Sequence, residues 1–228
     1  MYAGDNRGFL AKNGDEGNQP GAVASNLDPQ WCPGRMDSNT GDEPTNILWI
    51  KAGQIYPYIG SPGPYRCPAD HSTYKNPTAY AIRGKGNDRV RSMSMNAWIG
   101  PFPDNDVGED WVHYRVYQKD SDMGVPGPAN LWLLMDENPY SINDGFLLEQ
   151  AAGNGSSGVA PIGTTWTDYP ATYHNRACGI SFCDGHAQIR KWTDPTLINF
   201  KGASGTSMAA TKPYTDIYWL LARTTAHK

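Results

Sequence analysis

Apolar positions fall in short bursts along the chain, separated by long polar runs. "ANLWLLMDEN" (residues 129–138) carries a continuous apolar run closed by two acids. A run of that length, bounded by turn residues, predicts a buried central strand that delivers Asp136 and Glu137 at its end. "VRSMSMNAWIG" (90–100) alternates instead. Arg91, Met93, Met95 and Ala97 oppose Val90, Ser92, Ser94 and Asn96, which predicts a strand with the methionines on its apolar face. "CGISFCDGHAQIRKW" splits at Asp184-Gly185 into two arms, 177–183 and 186–192. Asp-Gly between two strand-like arms predicts a hairpin with a type I′ turn, both turn residues taking positive φ.

Helical periodicity is weaker. Residues 1–10 read as the last turns of a helix ending near Asn6-Arg7-Gly8, with Gly8 as its C-cap. In "TNILWIKAGQIYPYIG" (45–60), Thr45 is placed to cap a stripe of Ile47, Leu48, Ile50, Ile55 and Tyr58; Gly53 weakens that helix and Pro57 distorts its end. "PYTDIYWLLART" (213–224) has Pro213 at a helix start and an apolar stripe of Ile217, Leu220 and Leu221, predicting a C-terminal helix. Residues 11–44 and 150–168 lack periodicity and read as long loops. The stretch 101–128 is loop-like, with a short strand at 111–117. The expectation is one α+β domain over 1–228, with a small antiparallel sheet, long Gly/Pro-rich loops and a C-terminal helix.

Composition fits this picture. With 25 Gly and 18 Pro among 228 residues, turns punctuate the whole chain. Net charge is −4 and no basic stripe is present, so a nucleic-acid partner is excluded. No apolar run reaches the ~18–20 residues that span a bilayer. The eight tryptophans and 13 tyrosines can order long loops. Trp31, Trp111 and Trp166 lie in loop sequence; they are the candidates for stacking on a sugar or polymer, or else they pin the loops to the body. Cys32, Cys67, Cys178 and Cys183 form no CxxC pair, which argues against a zinc ribbon. Cys32 and Cys67 each precede Pro in loop sequence, and a disulfide between them would staple a long irregular segment. Cys178 and Cys183 are five apart, which puts them on opposite strand faces.

His174, nine residues, then Asp184-Gly185 resembles the H-x9-DG signature of prepilin-type pseudopilin proteins. Four other pieces agree, in the family's order. "MYAGDNRG" looks like the segment after the apolar N-terminal pilin helix. "YRCPAD" looks like a Cys-Pro-x-Asp element. "SMSMN" resembles a SYxMN strand, without the usual aromatic. "PANLWLLMDEN" resembles a Pro-rich entry into an apolar strand ending in Asp. The resemblance covers about a third of the chain. The prepilin leader and long apolar helix that begin such proteins are not in this sequence. It implies a pilin-like head with a spine-helix remnant, a structural role in a type II secretion or type IV-pilus-like apparatus, and partners among its other subunits. It also implies a cell-envelope location, periplasmic or extracellular, with the full-length form anchored in the inner membrane. Major pseudopilins carry calcium in the head, and Asp136, Glu137 and Asp144 are the candidate Ca²⁺ ligands here, at a strand end and in the loop beyond.

Two other functions are weighed. An ester or polymer-ester hydrolase would use Ser181 or Cys183 with His186 or His174 as base and Asp184 or Asp136 as orienter. No G-x-S-x-G elbow is present. A carbohydrate- or polymer-binding module would use the loop tryptophans. A transition-metal site at His174, Asp184 and His186 is disfavoured: along an extended strand His174 lies roughly 30 Å from Asp184, at ~3.3 Å per residue. Only a sharp bend after His174 would change that.

Overall fold

The alternating and continuous apolar runs meet in one sheet. The computed structural model describes residues 1–13, 30–37, 42–73, 88–100, 113–149 and 164–228. Its main sheet has five strands: β1 (Met93–Asn96), β2 (Trp132–Asp136), β3 (Phe146–Leu147), β5 (Ala177–Phe182) and β6 (Ala187–Lys191), in the order β3-β1-β2-β5-β6. The β1–β2, β2–β5 and β5–β6 pairs are antiparallel; β3 joins β1 in parallel. A second, two-stranded sheet pairs β4 (Thr165–Trp166) with β7 (Met208–Ala209). The fold is α+β, with a small, mainly antiparallel sheet and few short helices. Among the described residues no helix is long and apolar enough to cross a membrane.

Each face of the sheet buries its own apolar cluster. One gathers Trp132, Met135, Leu147, Cys178, Ile180 and Phe182 against Leu197 of the short helix α4 (Pro195–Ile198) and Ile217, Leu220 and Leu221 of the C-terminal helix α5 (Thr215–Leu221). The other gathers Met95 and Phe146, with Met93, Leu134 and Cys183 packed against them, under Trp31, Cys32, Ile50 and Tyr65. Burying each large apolar side chain contributes about 1.5–3 kcal/mol. The methionine face of β1 is therefore as expected, and so is the separation of Cys178 from Cys183. The sheet takes Leu133 and Leu134 on the same face because the β2–β5 register shifts between Trp132 and Leu134. Ser181 Oγ repairs that irregularity, accepting from Leu134 N at 3.2 Å and donating to Leu134 O at 3.3 Å.

Buried polar side chains lock the layers together. Asn96 Nδ2 donates to Trp132 O (3.0 Å) and Thr224 O (2.9 Å), while its Oδ1 accepts from Trp98 N (3.1 Å), so one amide ties β1, β2 and the end of α5. Asp216, on α5, accepts from Arg190 Nη2 at 3.0 Å, Thr193 Oγ1 at 3.0 Å and Asp194 N at 2.7 Å. Arg190 also lies over the Trp219 ring, 4.5 Å from its centroid.

Several local details differ from expectation. The 45–60 stripe forms two short helices, α2 (Ile47–Lys51) and α3 (Tyr56–Ile59). Asn46 caps the first, not Thr45: its side chain accepts from Leu48 N at 2.9 Å. Gly53 lies between them, where a Cβ would collide with Trp31 O. The N-terminal helix α1 is Tyr2–Asp5; its C-cap is Asn6, not Gly8, and the chain leaves it through left-handed Arg7 (φ 59°) and Gly8 (φ +83°). It buries no residue; α5 is the helix that covers the sheet. From the 111–117 segment, Tyr114 and Tyr117 make only isolated bridges, to His227 and Ile99.

The Asp-Gly hairpin is real, but its turn is not type I′. Phe182 N donates to His186 O (2.9 Å) and Gly185 N to Phe182 O (3.0 Å), closing a three-residue loop. Only Gly185 has positive φ, at +93°, as in a three-residue loop ending in a left-handed residue. The pair of positive φ values sits nine residues earlier. Asn175 (φ 54°) and Arg176 (φ 66°) bend the chain sharply before β5, and His174 N donates to Ala177 O across that bend at 3.1 Å.

Candidate functional site

That bend determines where His174 points. The imidazole leaves the line of β5 and swings to the end of β2, where Asp136 closes the strand. Cys67 arrives from a third direction, in the turn after the short 3-10 helix Gly63–Tyr65. Cys67 Sγ lies 3.2 Å from His174 Nε2. The sulfur, an imidazole nitrogen and an Asp136 carboxylate oxygen all lie within 4.8 Å of one another. Among the described residues this is the one group of three or more His, Cys, Asp or Glu donors so close together.

A single hydroxyl positions two of the three. Ser92 Oγ accepts from Cys67 N at 2.8 Å and donates to Asp136 Oδ1 at 3.1 Å. The Gly179 N–H also supports the Asp136 carboxylate. Ala69 N donates to Cys67 Sγ at 3.4 Å, and Asp70 N to Cys67 O at 2.9 Å, so the Cys-Pro-Ala-Asp segment wraps tightly around the sulfur. Cys67 and Asp136 are buried; His174 is exposed. The cluster is a shallow recess with its histidine at the rim.

Electrostatics separate the chemical options. Burial raises the Cys67 thiol, the Ala69 N–H lowers it, and the adjacent Asp136 charge raises it further. Burial likewise raises Asp136, against the hydrogen bonds from Ser92 and Cys67 and the attraction of His174. A thiol nucleophile needs a stabilised thiolate and an orienter on the far nitrogen of its histidine. Here the carboxylate touches the sulfur instead. The arrangement disfavours a free thiolate and brings nitrogen, sulfur and oxygen within 4.8 Å of one another.

The sequence-predicted residues distribute as follows. His174 and Asp136 belong to this cluster, but with Cys67 as their partner and not the residues of the hairpin corner or the 137–144 loop. Glu137, the next residue on the strand, is turned away: its carboxylate accepts from Ser94 Oγ and Ser141 Oγ, each at 2.6 Å. Burial pushes Glu137 up to about 8, against those hydrogen bonds. Asp144 Oδ1 caps its own turn by accepting from Phe146 N at 3.0 Å. Asp136 and Glu137 face opposite ways, as consecutive strand residues do, and Asp136, Glu137 and Asp144 form no common ligand group among the described residues.

The hairpin corner does not assemble a dyad. Ser181 is committed to the Leu134 backbone. Burial, with the Asp184 charge beside it, pushes the Cys183 thiol up to about 12. His186 Nδ1 pairs with Asp184 Oδ1 at 2.6 Å, both exposed, and its ring stacks on Phe182 at 4.2 Å. No hydrogen bond joins His186 to Ser181 or Cys183 among the described residues.

The tryptophans at 31 and 166 are 1% and 0% exposed, so neither offers a face to a sugar or polymer. Trp31 Nε1 donates to Gly145 O at 2.8 Å and Trp166 Nε1 to Asp194 Oδ2 at 2.8 Å; both pin loops to the body. Trp111 lies outside the described residues. Cys32 and Cys67 are free thiols. They are not bridged: Cys32 is buried in the methionine-side cluster, while Cys67 faces His174.

Cys67 and Ser92 carry the site without having been singled out for metal or catalysis. Their signal lay in the motifs themselves. "YRCPAD", "SMSMN", "LLMDEN" and the histidine of H-x9-DG each supply one member of the constellation. Comparisons with protein-family models, with curated proteins and with solved structures find no match to the chain.

Proposed function

We propose that this chain is the head of a pseudopilin-like structural subunit of a type II secretion or type IV-pilus-like apparatus. The observation that carries the proposal is the meeting of the motif segments. Cys67, Ser92, Asp136 and His174 come from four separated stretches that resemble the family, and they touch in one cluster. Unrelated chance matches have no reason to converge. The motif string therefore behaves as the imprint of one structural unit. The buried, thiolate-disfavouring character of that unit supports a scaffold over a hydrolase.

In this role the head displays surface from the cell envelope, and its partners are other subunits of the same apparatus. The test uses the complete gene, co-expressed with a prepilin peptidase and the remaining pseudopilins of its host. The expected result is N-terminal processing by the peptidase and crosslinking of this head to another subunit. A product that the peptidase leaves untouched, and that crosslinks to none of them, overturns the proposal.

A further inference from the structure

Five observations bear on what Cys67, Asp136 and His174 hold. The donor set is mixed, one thiol, one imidazole and one carboxylate, which are the three side-chain types that bind zinc. Thiolate and imidazole together select zinc-class ions over calcium or magnesium, which take oxygen donors. The spacing also fits. Ligands at ~2.0–2.3 Å from a tetrahedral ion lie roughly 3.3–3.8 Å apart; Cys67 Sγ and His174 Nε2 are 3.2 Å apart, with the third donor inside 4.8 Å of both.

The supporting contacts are those a ligand set requires. Metal ligands are held by outer hydrogen bonds that fix their direction, and the Ser92 hydroxyl does this for Cys67 and Asp136 together. The Ala69 N–H points at the sulfur at 3.4 Å, where it can stabilise negative charge once the thiol proton has left. The two left-handed residues Asn175 and Arg176 turn His174 towards the recess. Non-glycine residues in that conformation cost energy and concentrate where the surrounding structure needs a particular geometry.

We infer that Cys67, Asp136 and His174 bind one divalent transition ion of the zinc class, leaving a fourth position open to solvent beside the exposed His174. On binding, the Cys67 thiol loses its proton to solvent and its sulfur forms the bond to the ion, while His174 and Asp136 bind as neutral imidazole and carboxylate. Nothing is oxidised or reduced. The ion joins three segments, the 66–70 turn, the end of β2 and the bend before β5. The inference stands on the cluster's geometry and does not depend on the filament role.

Cobalt(II) is the probe, because a thiolate bound to it gives a sulfur-to-metal absorption band that free thiols lack. The purified chain, reduced and treated with chelator, is titrated with Co²⁺ and the bound ion then displaced with Zn²⁺. One equivalent of Co²⁺ should bring up the band, and one equivalent of Zn²⁺ should remove it. Cys67→Ser should abolish the band, whereas Cys183→Ser should leave it unchanged. His174→Ala, at an exposed position, should weaken Zn²⁺ binding at least tenfold in competition with a chromophoric chelator. Absence of the band in the wild type, its persistence in Cys67→Ser, or unchanged affinity in His174→Ala overturns the inference. If Cys67→Ser does not fold, the wild-type titration and the His174→Ala competition decide alone.

Discussion

Cys67 Sγ and His174 Nε2 sit 3.2 Å apart, although 107 residues separate them along the chain. An ion held between them clamps the turn at Cys67 to the entrance of β5, and should stabilise the fold by mass action. At a free zinc concentration of 100 times Kd the gain is about 2.7 kcal/mol, which for a chain of this size raises Tm by about 5–11 °C. Calorimetry with and without Zn²⁺ checks it. Ca²⁺ in place of Zn²⁺ should leave Tm unchanged.

Protons compete with that ion for Cys67. Burial raises the thiol above its ordinary range, so the thiol proton is the harder to displace as pH falls. Zinc affinity should therefore drop at least about tenfold per pH unit on acidification, because the thiol proton must leave for the sulfur to bind. Isothermal titration in buffers of different ionisation enthalpy would count that proton. Release of none would mean that the sulfur does not bind.

Glu137 makes a separate prediction about pH. Burial pushes its carboxyl up to about 8 in the folded chain, against an ordinary 4.5. Below about 4.5 the group is protonated in both states. Between the two values the unfolded chain sheds a proton that the folded chain keeps, so stability falls as pH rises and levels off above about 8. The slope contributed is at most about 1.4 kcal/mol per pH unit. Glu149, buried and raised in the same direction, adds to it. Urea unfolding from pH 5 to 8 should show a flatter decline for Glu137→Gln than for the wild type.

Asp216 is the anchor of the C-terminal helix. It is 2% exposed and holds Arg190, Thr193 and the Asp194 backbone. Asp216→Ala leaves those donors without their acceptor and Arg190 without its counter-charge. The expected cost is about 3–5 kcal/mol, a fall in Tm of more than about 6 °C.

Arg176 offers the opposite sign. Its φ of 66° costs a side-chain-bearing residue about 1 kcal/mol that glycine does not incur. Arg176→Gly creates Asn-Gly at a bend whose two central residues have positive φ, the pair such bends prefer. Stability should rise by about 0.5–1 kcal/mol, and equilibrium unfolding would read it directly. A loss of stability would show that the Arg176 side chain contributes more than its backbone costs.

The elements whose signal is local were legible in the sequence. The apolar run of β2, the methionine face of β1, the hairpin and the stripe of α5 all depend on near neighbours. Turn chemistry was read one turn too far along: Asp184-Gly185 carries the stronger dipeptide signal, yet tertiary packing spends the two left-handed residues at Asn175 and Arg176. The site was less legible. Strand arithmetic treated the chain after His174 as extended, whereas it bends sharply at Asn175 and Arg176; the partners of His174 lie on other segments, and only the packed sheet brings them into reach. Trp31 and Trp166 show the same limit. Polar loop sequence around a tryptophan does not reveal whether the ring faces solvent or core.

Strand order has a kinetic consequence. The β5–β6 hairpin joins neighbours in sequence and can close by itself within about 1–10 μs. Every other pair in the main sheet joins distant segments and must wait for slower loop closures. His174 borders the early hairpin, whereas Cys67 and Asp136 are delivered by the late pairings. The recess therefore exists only once the last strands have docked, and a bound ion would serve as a latch on the finished molecule, slowing its unfolding while leaving the rate of its formation unchanged.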